Sequence, residues 1–309
     1  TIYKDATCSY DANVTITGDV TDEADNCDTS LNATFTDAVA AGACEGEEII
    51  TRTWTLTDDC GNTTTHIQII TVRDTTPPTF TAPADITIYK DATCNYDANV
   101  TITGDVTDEA DNCDTSLDAT FTDAVANGTC EGEEIITRTW TLTDDCGNNT
   151  THIQIITVRD TTPPTFTVPA DITIYKDATC NYDANVTITG DVTDEADNCD
   201  TSLNATFTDA VAAGACEGEE IITRTWTLTD DCGNTTTHIQ IITVRDTTPP
   251  TFTAPADITI YKDATCNYDA NVTITGNVTD EADNCDTSLD ATFTDAVANG
   301  TCEGEEIIT

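Results

Sequence analysis

One octapeptide recurs along this chain at a fixed interval. TIYKDATC begins at Thr1, Thr87, Thr173 and Thr259, which is a period of 86 residues. A period of this length is typical of an array of small domains and disfavours one large catalytic pocket. We predict repeats over 1–75, 76–161, 162–247 and 248–309, with the first truncated at its N-terminal side and the last at its C-terminal side, and we expect the sequence to be a piece of a longer chain.

Alternating apolar and polar residues predict short antiparallel strands within every repeat. In the first repeat the predicted strands are ANVTITG from Ala12, ATFTDAV from Ala33, IITRTWTLT from Ile49 and TTHIQIITV from Thr64, and an entry strand, ITIYK, ends at Lys90 in the second repeat. Trp54, Trp140 and Trp226 are the expected core residues. The pattern predicts an all-β chain of tandem immunoglobulin-like β-sandwich repeats, arranged head to tail as a rod.

The chain has 15 cysteines, at the same four positions in every complete repeat, and it has no CxxC spacing. An even number per repeat favours two disulfides per domain over a zinc site. If successive strands alternate in direction, the first and third cysteines share one end of the domain, and the second and fourth share the other. This count predicts the pairs Cys8–Cys44, Cys27–Cys60, Cys94–Cys130, Cys113–Cys146, Cys180–Cys216, Cys199–Cys232 and Cys266–Cys302.

The charge is strongly acidic, with 57 acidic and 10 basic residues and a net charge of −47. Such a charge excludes nucleic acid as a direct partner and favours binding of divalent cations. No apolar run is long enough to insert in a membrane. Motifs of hydrolases, zinc proteases and phosphate-binding loops are absent, so the sequence predicts no enzyme and no organic cofactor.

Carboxylates are densest in the segment DVTDEADNCD, which we expect to lie near TDDCGN and the linker from the preceding repeat. Calcium binds six to eight oxygen atoms, and carboxylates are its usual protein ligands. The alternative is a solvated acidic loop that binds no ion. His66, His152 and His238 are expected to fill strand positions and not to bind metal. The predicted calcium ligands are Asp74, Asp108, Glu109, Asp111 and Asp145, with the copies Asp160, Asp194, Glu195, Asp197 and Asp231.

Four short segments recur in every complete repeat: DNC, WTLTDDCGN, VRDTTPP and PADI. Together they resemble the HYR-like immunoglobulin-fold repeats of giant cell-surface adhesins of Bacteroidetes, which include gliding-motility adhesins. The resemblance implies an extracellular location on a bacterial cell surface, with export and motility machinery as partners. It also implies O-glycosylation at the DTT threonines, which are Thr75, Thr161 and Thr247.

We therefore predict the structural shaft of a long adhesin filament, stapled by disulfides and stiffened by calcium. The shaft would meet its extracellular surface or glycan target through another part of the chain. Two alternatives stay open. One is a tandem array of carbohydrate-binding modules, although each repeat has few aromatic residues. The other is a passive surface-layer stalk, which the sequence does not distinguish from an adhesin shaft.

Overall fold

A computed structural model describes residues 1–309, and nearly all of its regular structure is β-sheet. The chain divides into two compact units, Thr1–Thr162 and Pro163–Thr309. Each unit contains two of the predicted repeats, so each shows how one repeat follows another. The predicted class, tandem immunoglobulin-like β-sandwich repeats, is confirmed.

The elements recur in the same order along the chain. Repeat 1 contains β1 (Ile2–Tyr3), α1 (Val14–Thr17), β2 (Thr34–Ala41), β3 (Glu48–Thr57) and β4 (Thr63–Arg73). Repeat 2 contains β5 (Thr79–Thr81), β6 (Ile86–Tyr89), α2 (Val100–Thr103), β7 (Thr107–Ala110), β8 (Thr120–Asn127), β9 (Glu134–Thr143) and β10 (Asn149–Arg159). Repeat 3 contains β11 (Thr165–Thr167), β12 (Ile172–Tyr175), α3 (Val186–Thr189), β13 (Thr193–Ala196), β14 (Thr206–Ala213), β15 (Glu220–Thr229) and β16 (Thr235–Arg245). Repeat 4 contains β17 (Thr251–Thr253), α4 (Val272–Thr275), β18 (Thr279–Ala282), β19 (Val297–Asn299) and β20 (Glu306–Ile308).

Each complete repeat has a four-stranded sheet and a two-stranded ribbon. In repeat 2 the sheet order is β6-β10-β9-β8, and the ribbon is β5-β7. The β6 strand runs parallel to β10, whereas the other sheet neighbours are antiparallel. Phe80 from the ribbon packs with Trp140 and Leu142 from the sheet, so this apolar contact holds the two layers together.

The alternating sequence of the central strand β9 decides which side chains enter the core. Trp140 and Leu142 are 1% and 0% exposed, while Thr139 and Thr141, which alternate with them, are half-buried on the opposite face. The same alternation carries Arg138 inward, where it is 1% exposed. Period-two alternation therefore explains a charged residue in the core as directly as it explains the tryptophan.

Arg138 is neutralised inside the sandwich. Its Nε and Nη2 atoms both donate to the Asp123 carboxylate at 2.8 Å, and its Nη1 donates to Thr103 Oγ1 at 2.7 Å. The guanidinium also lies 4.0 Å from the centroid of the Phe121 ring. Its Nη2 also donates to the Ala98 carbonyl at 2.8 Å, and this bidentate pair with its further hydrogen bonds offsets much of the desolvation cost of the buried charge. Repeats 1 and 3 contain the same pair, as Arg52–Asp37 and Arg224–Asp209.

The segment ANVTITG is not a strand, and that prediction was wrong. It forms the single helical turn α1, because the Asn13 side chain accepts a hydrogen bond from Thr15 N at 3.2 Å and caps the turn. Gly18, at φ 93°, ends it. The turn places Thr17 under Arg52, whose Nη1 donates to Thr17 Oγ1 at 2.7 Å. A local side-chain cap therefore outweighs the alternating pattern. None of the four helices, each one turn long, has the length to cross a membrane.

Candidate functional site at the joint between repeats

The site is built where repeat 1 meets repeat 2 in the first unit. We call this region the joint. It consists of the linker 74–78, loops 5–9 and 42–47 of repeat 1, and loops 111–117 and 144–148 of repeat 2. The second unit contains an equivalent joint, between repeats 3 and 4.

Two disulfides close the first joint. Cys8 bonds to Cys113 and Cys44 bonds to Cys146, with Cα atoms 5.0 and 5.2 Å apart. Both bonds therefore join consecutive repeats and not two parts of one repeat. In the second unit, Cys180–Cys285 repeats the first of these bonds. Cys94, Cys130, Cys199 and Cys232 are disulfide-bonded as well.

The predicted pairing within repeats was wrong. The bonds found exclude Cys8–Cys44, Cys113–Cys146 and Cys180–Cys216, and the structure leaves Cys27, Cys60, Cys216, Cys266 and Cys302 free, so Cys27–Cys60 and Cys266–Cys302 are not formed either. The repeat symmetry argues in the same way against Cys94–Cys130 and Cys199–Cys232. The count of strand directions did place Cys8 and Cys44 at one end of their repeat. It failed because their partners lie across the linker, on the facing end of the next repeat.

Glycine is required at the point of closest approach. Gly46 has φ +92°, and a Cβ atom built there would lie 2.8 Å from Cys113 Cβ and 3.2 Å from Asp74 Cβ. Gly218 occupies the same position against Cys285 in the second unit, with φ +87°. Only a residue without a side chain fits between the loop of one repeat and the disulfide of the next.

The loop after β7 is held by its own aspartates. Asp111 Oδ1 accepts hydrogen bonds from Cys113 N at 2.8 Å and Asp114 N at 2.9 Å, and Asp114 Oδ1 accepts one from Ser116 N at 2.8 Å. These Asx-type turns present Cys113 toward repeat 1. Asn112 adds a direct link, because its Nδ2 donates to Asp5 O of repeat 1 at 3.0 Å and to Asp74 Oδ1 of the linker at 3.3 Å. Asn284 makes the same two contacts in the second unit, to Asp177 O and Asp246 Oδ1.

Several joint carboxylates are held in the ionised form. Hydrogen bonds from Thr7 Oγ1 and the Ser9 and Thr7 amides lower the pKa of Asp5, although this side chain is solvent-exposed. In the second unit, donation from the Thr248 amide lowers the pKa of Asp246, against a smaller opposing effect of burial. Donors that favour the charged form keep the negative charge of these loops down to acidic pH.

Two groups of carboxylates result. The inner cluster is Asp74, Asp111 and Asp144, and the outer cluster is Glu45, Asp114 and Asp145. Within each cluster one oxygen of every member lies within 4.8 Å of the others. Asp74 and Asp144 are each 5% exposed, whereas Glu45 and Asp145 are exposed.

The predicted calcium ligands are thus divided among different places. Asp74 and Asp111 come together with Asp144, which was not among the predicted ligands, and Asp145 belongs to the outer cluster. Asp108 and Glu109 are in neither cluster. Asp108 accepts a hydrogen bond from Thr107 Oγ1, and Glu109 accepts one from Ala119 N at 2.7 Å.

The copies of these residues in repeats 2 and 3 keep the same local roles. Asp194 accepts from Thr193 Oγ1 and Glu195 from Ala205 N, as Asp108 and Glu109 do. Asp197 accepts from Cys199 N at 2.7 Å, and Asp231 N donates to Asp200 at 2.9 Å. Asp160 is 5% exposed and accepts from Thr162 N at 3.0 Å.

The remaining predicted residues lie outside these clusters. Thr75, Thr161 and Thr247 are solvent-exposed in the linkers, and their glycosylation stays a prediction. His152 lies in β10 opposite Trp140, and its ring contacts Phe80 edge-on at 4.8 Å between centroids. His238 makes the same contact with Phe166.

No protein-family model matches the sequence, and no curated protein matches it. Among solved structures, the chain is similar to Drosophila N-cadherin EC1-4, with 13% identity, 71% of this chain and 67% of that chain covered, and a TM-score of 0.28. It is also similar to human CDH23 EC21-23 (13% identity, 70% and 90% covered, TM-score 0.26) and mouse cadherin-23 EC22-24 (13% identity, 72% and 89% covered, TM-score 0.27). TM-scores this low support no conclusion about the present chain.

Proposed function

We propose that this chain forms the structural shaft of a long, repetitive cell-surface adhesin. The observation that carries the proposal is the bonding of each joint across the linker, through Cys8–Cys113, Cys44–Cys146 and Cys180–Cys285. At the first joint the repeats are connected three times, by the backbone and by two disulfides. When such a chain is stretched, the force passes from one repeat to the next through the disulfides as well as through the linker backbone.

The chemistry of the joint suits the outside of a cell. Disulfides persist in oxidising compartments and are rare in the cytosol of most organisms. The net charge of −47 keeps neighbouring filaments apart by repulsion. Together with the resemblance of the repeat motifs to Bacteroidetes adhesins, these properties favour a bacterial cell surface. Export and gliding-motility machinery are the proposed partners, and adhesion to the target belongs to another part of the protein.

Calcium is the proposed cofactor of this shaft. The support is the gathering of carboxylates from the linker and from two loops of the following repeat, because an ion bound there would fix the linker to that repeat. All the candidate ligands are oxygen atoms, as hard divalent cations prefer. Stiffening of the joints is the expected consequence.

Peptide mapping without reduction tests the covalent shaft. Cleavage after aromatic residues separates the four cysteines of repeat 1, because Tyr10, Phe35 and Trp54 lie between them. The Cys113 peptide differs from the Cys27 peptide in carrying Asp118 in place of Asn32. We expect Cys8 joined to the peptide with Asp118, and Cys44 joined to the Cys146 peptide. Recovery of Cys8 joined to Cys44 would exclude the proposed shaft.

Stretching single molecules of the full chain then tests its mechanical role. The oxidised chain is expected to resist extension at every joint, and the reduced chain to lengthen at lower force. Equal extension of the two forms would contradict a load-bearing role for the disulfides.

A further inference from the structure

We propose that the inner cluster, Asp74, Asp111 and Asp144, is a binding site for one calcium ion at the joint, and that the outer cluster is not a site. The inference rests on the joint that the proposed function invokes. It names the ligands of the ion and assigns no role to Asp108 or Glu109 in binding it.

An oxygen atom without a partner marks the inner cluster. Asp111 Oδ2 is buried and accepts no hydrogen bond, while Oδ1 of the same carboxylate accepts two. A buried carboxylate oxygen without a donor is costly, since burial removes its water and nothing replaces it. A cation beside Asp111 Oδ2 supplies the missing partner.

The other two members are more deeply buried than the half-buried Asp111 and carry the same charge. Asp74 and Asp144 are each 5% exposed, and no basic side chain pairs with them. The nearest basic residue in sequence, Arg73, is 61% exposed at its side chain and pairs with Glu47 at 3.4 Å. Like charges brought together in a buried place repel strongly, and a bound divalent cation removes this repulsion.

Hydrogen bonds that Asp144 and Asp74 accept orient these two side chains. Asp144 accepts from Asn148 N at 2.7 Å and from Asn148 Nδ2 at 2.8 Å, and Asp74 Oδ1 accepts from Thr76 N at 3.1 Å. The site is therefore preorganised by hydrogen bonds to the ligands themselves, which is the usual way that metal-binding carboxylates are held.

The size of the cluster suits calcium. Three oxygen atoms no more than 4.8 Å apart lie within about 2.8 Å of a common centre, near the calcium–oxygen range of about 2.3–2.6 Å. Magnesium requires shorter bonds of about 2.0–2.1 Å in octahedral geometry. A small inward movement satisfies calcium, whereas magnesium requires a larger one.

The outer cluster has the same 4.8 Å span but differs in burial and in the hydrogen bonding of its oxygens. Glu45 and Asp145 are exposed, so water already solvates them. Asp114 is 4% exposed, but both of its oxygens accept hydrogen bonds, from Ser116 N and from Asp145 N. No oxygen of the outer cluster is buried without a partner. It therefore serves as an internal control for acidity alone.

The test measures calcium bound to the oxidised full chain by titration calorimetry, with Asp111→Asn compared against Glu45→Gln. Each substitution removes one negative charge from one cluster. An asparagine at position 111 keeps the side-chain oxygen that accepts from Cys113 N and Asp114 N, so the turn is preserved. We expect Asp111→Asn to lose one bound calcium ion per chain and Glu45→Gln to lose none.

Two results would overturn the assignment. One is unchanged calcium binding in Asp111→Asn, and the other is no calcium binding by the parent chain at millimolar concentration. If Asp111→Asn does not fold, as judged by its tryptophan fluorescence, Asp74→Asn takes its place with the same expected loss of one ion. Peptide mapping of the same samples separates the two proposals: intact Cys8–Cys113 without calcium binding refutes the ion site and leaves the covalent shaft standing.

Discussion

The interior of a repeat and the joint between repeats are stabilised in different ways. Inside repeat 2, Trp140 and Leu142 pack against Phe80, and the buried charge of Arg138 is paired with Asp123 and hydrogen-bonded to Thr103. At the joint, disulfides connect the two repeats and carboxylates are buried beside them, and the buried oxygen Asp111 Oδ2 lacks a partner. The interior is held by contacts within the repeat itself, whereas the joint depends on what the medium supplies: an oxidant and, as we propose, a cation.

The largest expected effect belongs to the interior. Replacing Arg138 by alanine removes a side chain that is 1% exposed and deprives Asp123, Thr103 Oγ1 and the Ala98 carbonyl of their donor. Truncating a buried side chain of this size costs about 2–5 kcal/mol, whereas the Asp123 side chain, 28% exposed, regains solvation. Urea unfolding of the full chain, followed by tryptophan fluorescence, measures the change. Arg159→Ala is the matched control, since that arginine is 60% exposed and its pair with Glu133 contributes at most about 1 kcal/mol.

Removing a disulfide should affect the joint and spare the sheets. The pair of substitutions Cys8→Ser and Cys113→Ser opens a bridge between residues 105 apart in sequence, with an expected loss of about 2–4 kcal/mol in the free energy of unfolding. The far-UV spectrum of the folded protein should not change, because neither cysteine lies in a strand. Cys27→Ser, at a free and exposed cysteine, should change neither quantity. Loss of β-structure in the double variant would show that the repeats do not fold independently of their joint.

Comparing two glycines distinguishes the cost of backbone strain from the cost of a steric clash at the joint. Gly46 and Gly61 have φ angles of +92° and +88°, but a Cβ atom meets Cys113 at the first position and open space at the second. Alanine in a left-handed conformation costs about 1–2 kcal/mol, and Gly61→Ala should lose only that amount. Gly46→Ala should lose more, and it should also form Cys8–Cys113 more slowly during oxidation. Equal losses of stability would mean that the joint tolerates a methyl group.

The smallest expected effect is a response to acid inside the repeat. Hydrogen bonding from Arg52 is the main cause that lowers the pKa of Asp37 below its ordinary value, with burial opposing it. Because the folded pKa is the lower one, the pair contributes stability above the unfolded value of about 3.9 and loses it as pH falls through the folded pKa. Thermal melts between neutral pH and about pH 2.5 should show this loss. Asp37→Asn should flatten that part of the profile, and an unchanged profile would show that other carboxylates dominate.

The sequence predicted the interior better than the joint, for a physical reason. Strand β3 follows from the alternation in IITRTWTLT, and the same alternation puts Arg52 on the face of Trp54, a signal that was present and overlooked. Alternation within one repeat is a local property, so it is visible in the sequence. The partners of Cys8 and Cys44 lie 105 and 102 residues away, in a different repeat, and identical repeats offer no sequence difference that distinguishes a neighbour from the repeat itself.

The acidic residues illustrate the same limit. The segment DVTDEADNCD contains both Asp108 and Asp111, and their spacing gave no reason to separate them. In the folded chain the backbone separates them, because Asp108 adopts the left-handed φ of 58° and Glu109 is hydrogen-bonded to Ala119 N. Asp144, two residues before Cys146, reaches the inner cluster because the disulfide loop brings it there.

The position of the cysteines around the central strand limits how far a pulled repeat can lengthen. Cys130 and Cys146 flank β9, and both are disulfide-bonded, with Cys146 joined to Cys44 of repeat 1, so the strand is anchored at each of its ends. The backbone between them is already extended for most of its length. Fully straightened, it reaches roughly 55 Å, against nearly 300 Å for a whole unravelled repeat, at about 3.4 Å per residue. A filament stretched until its repeats unfold would therefore lengthen by only a short distance before the disulfides become taut. Refolding after release would begin from strands that are still close to their partners.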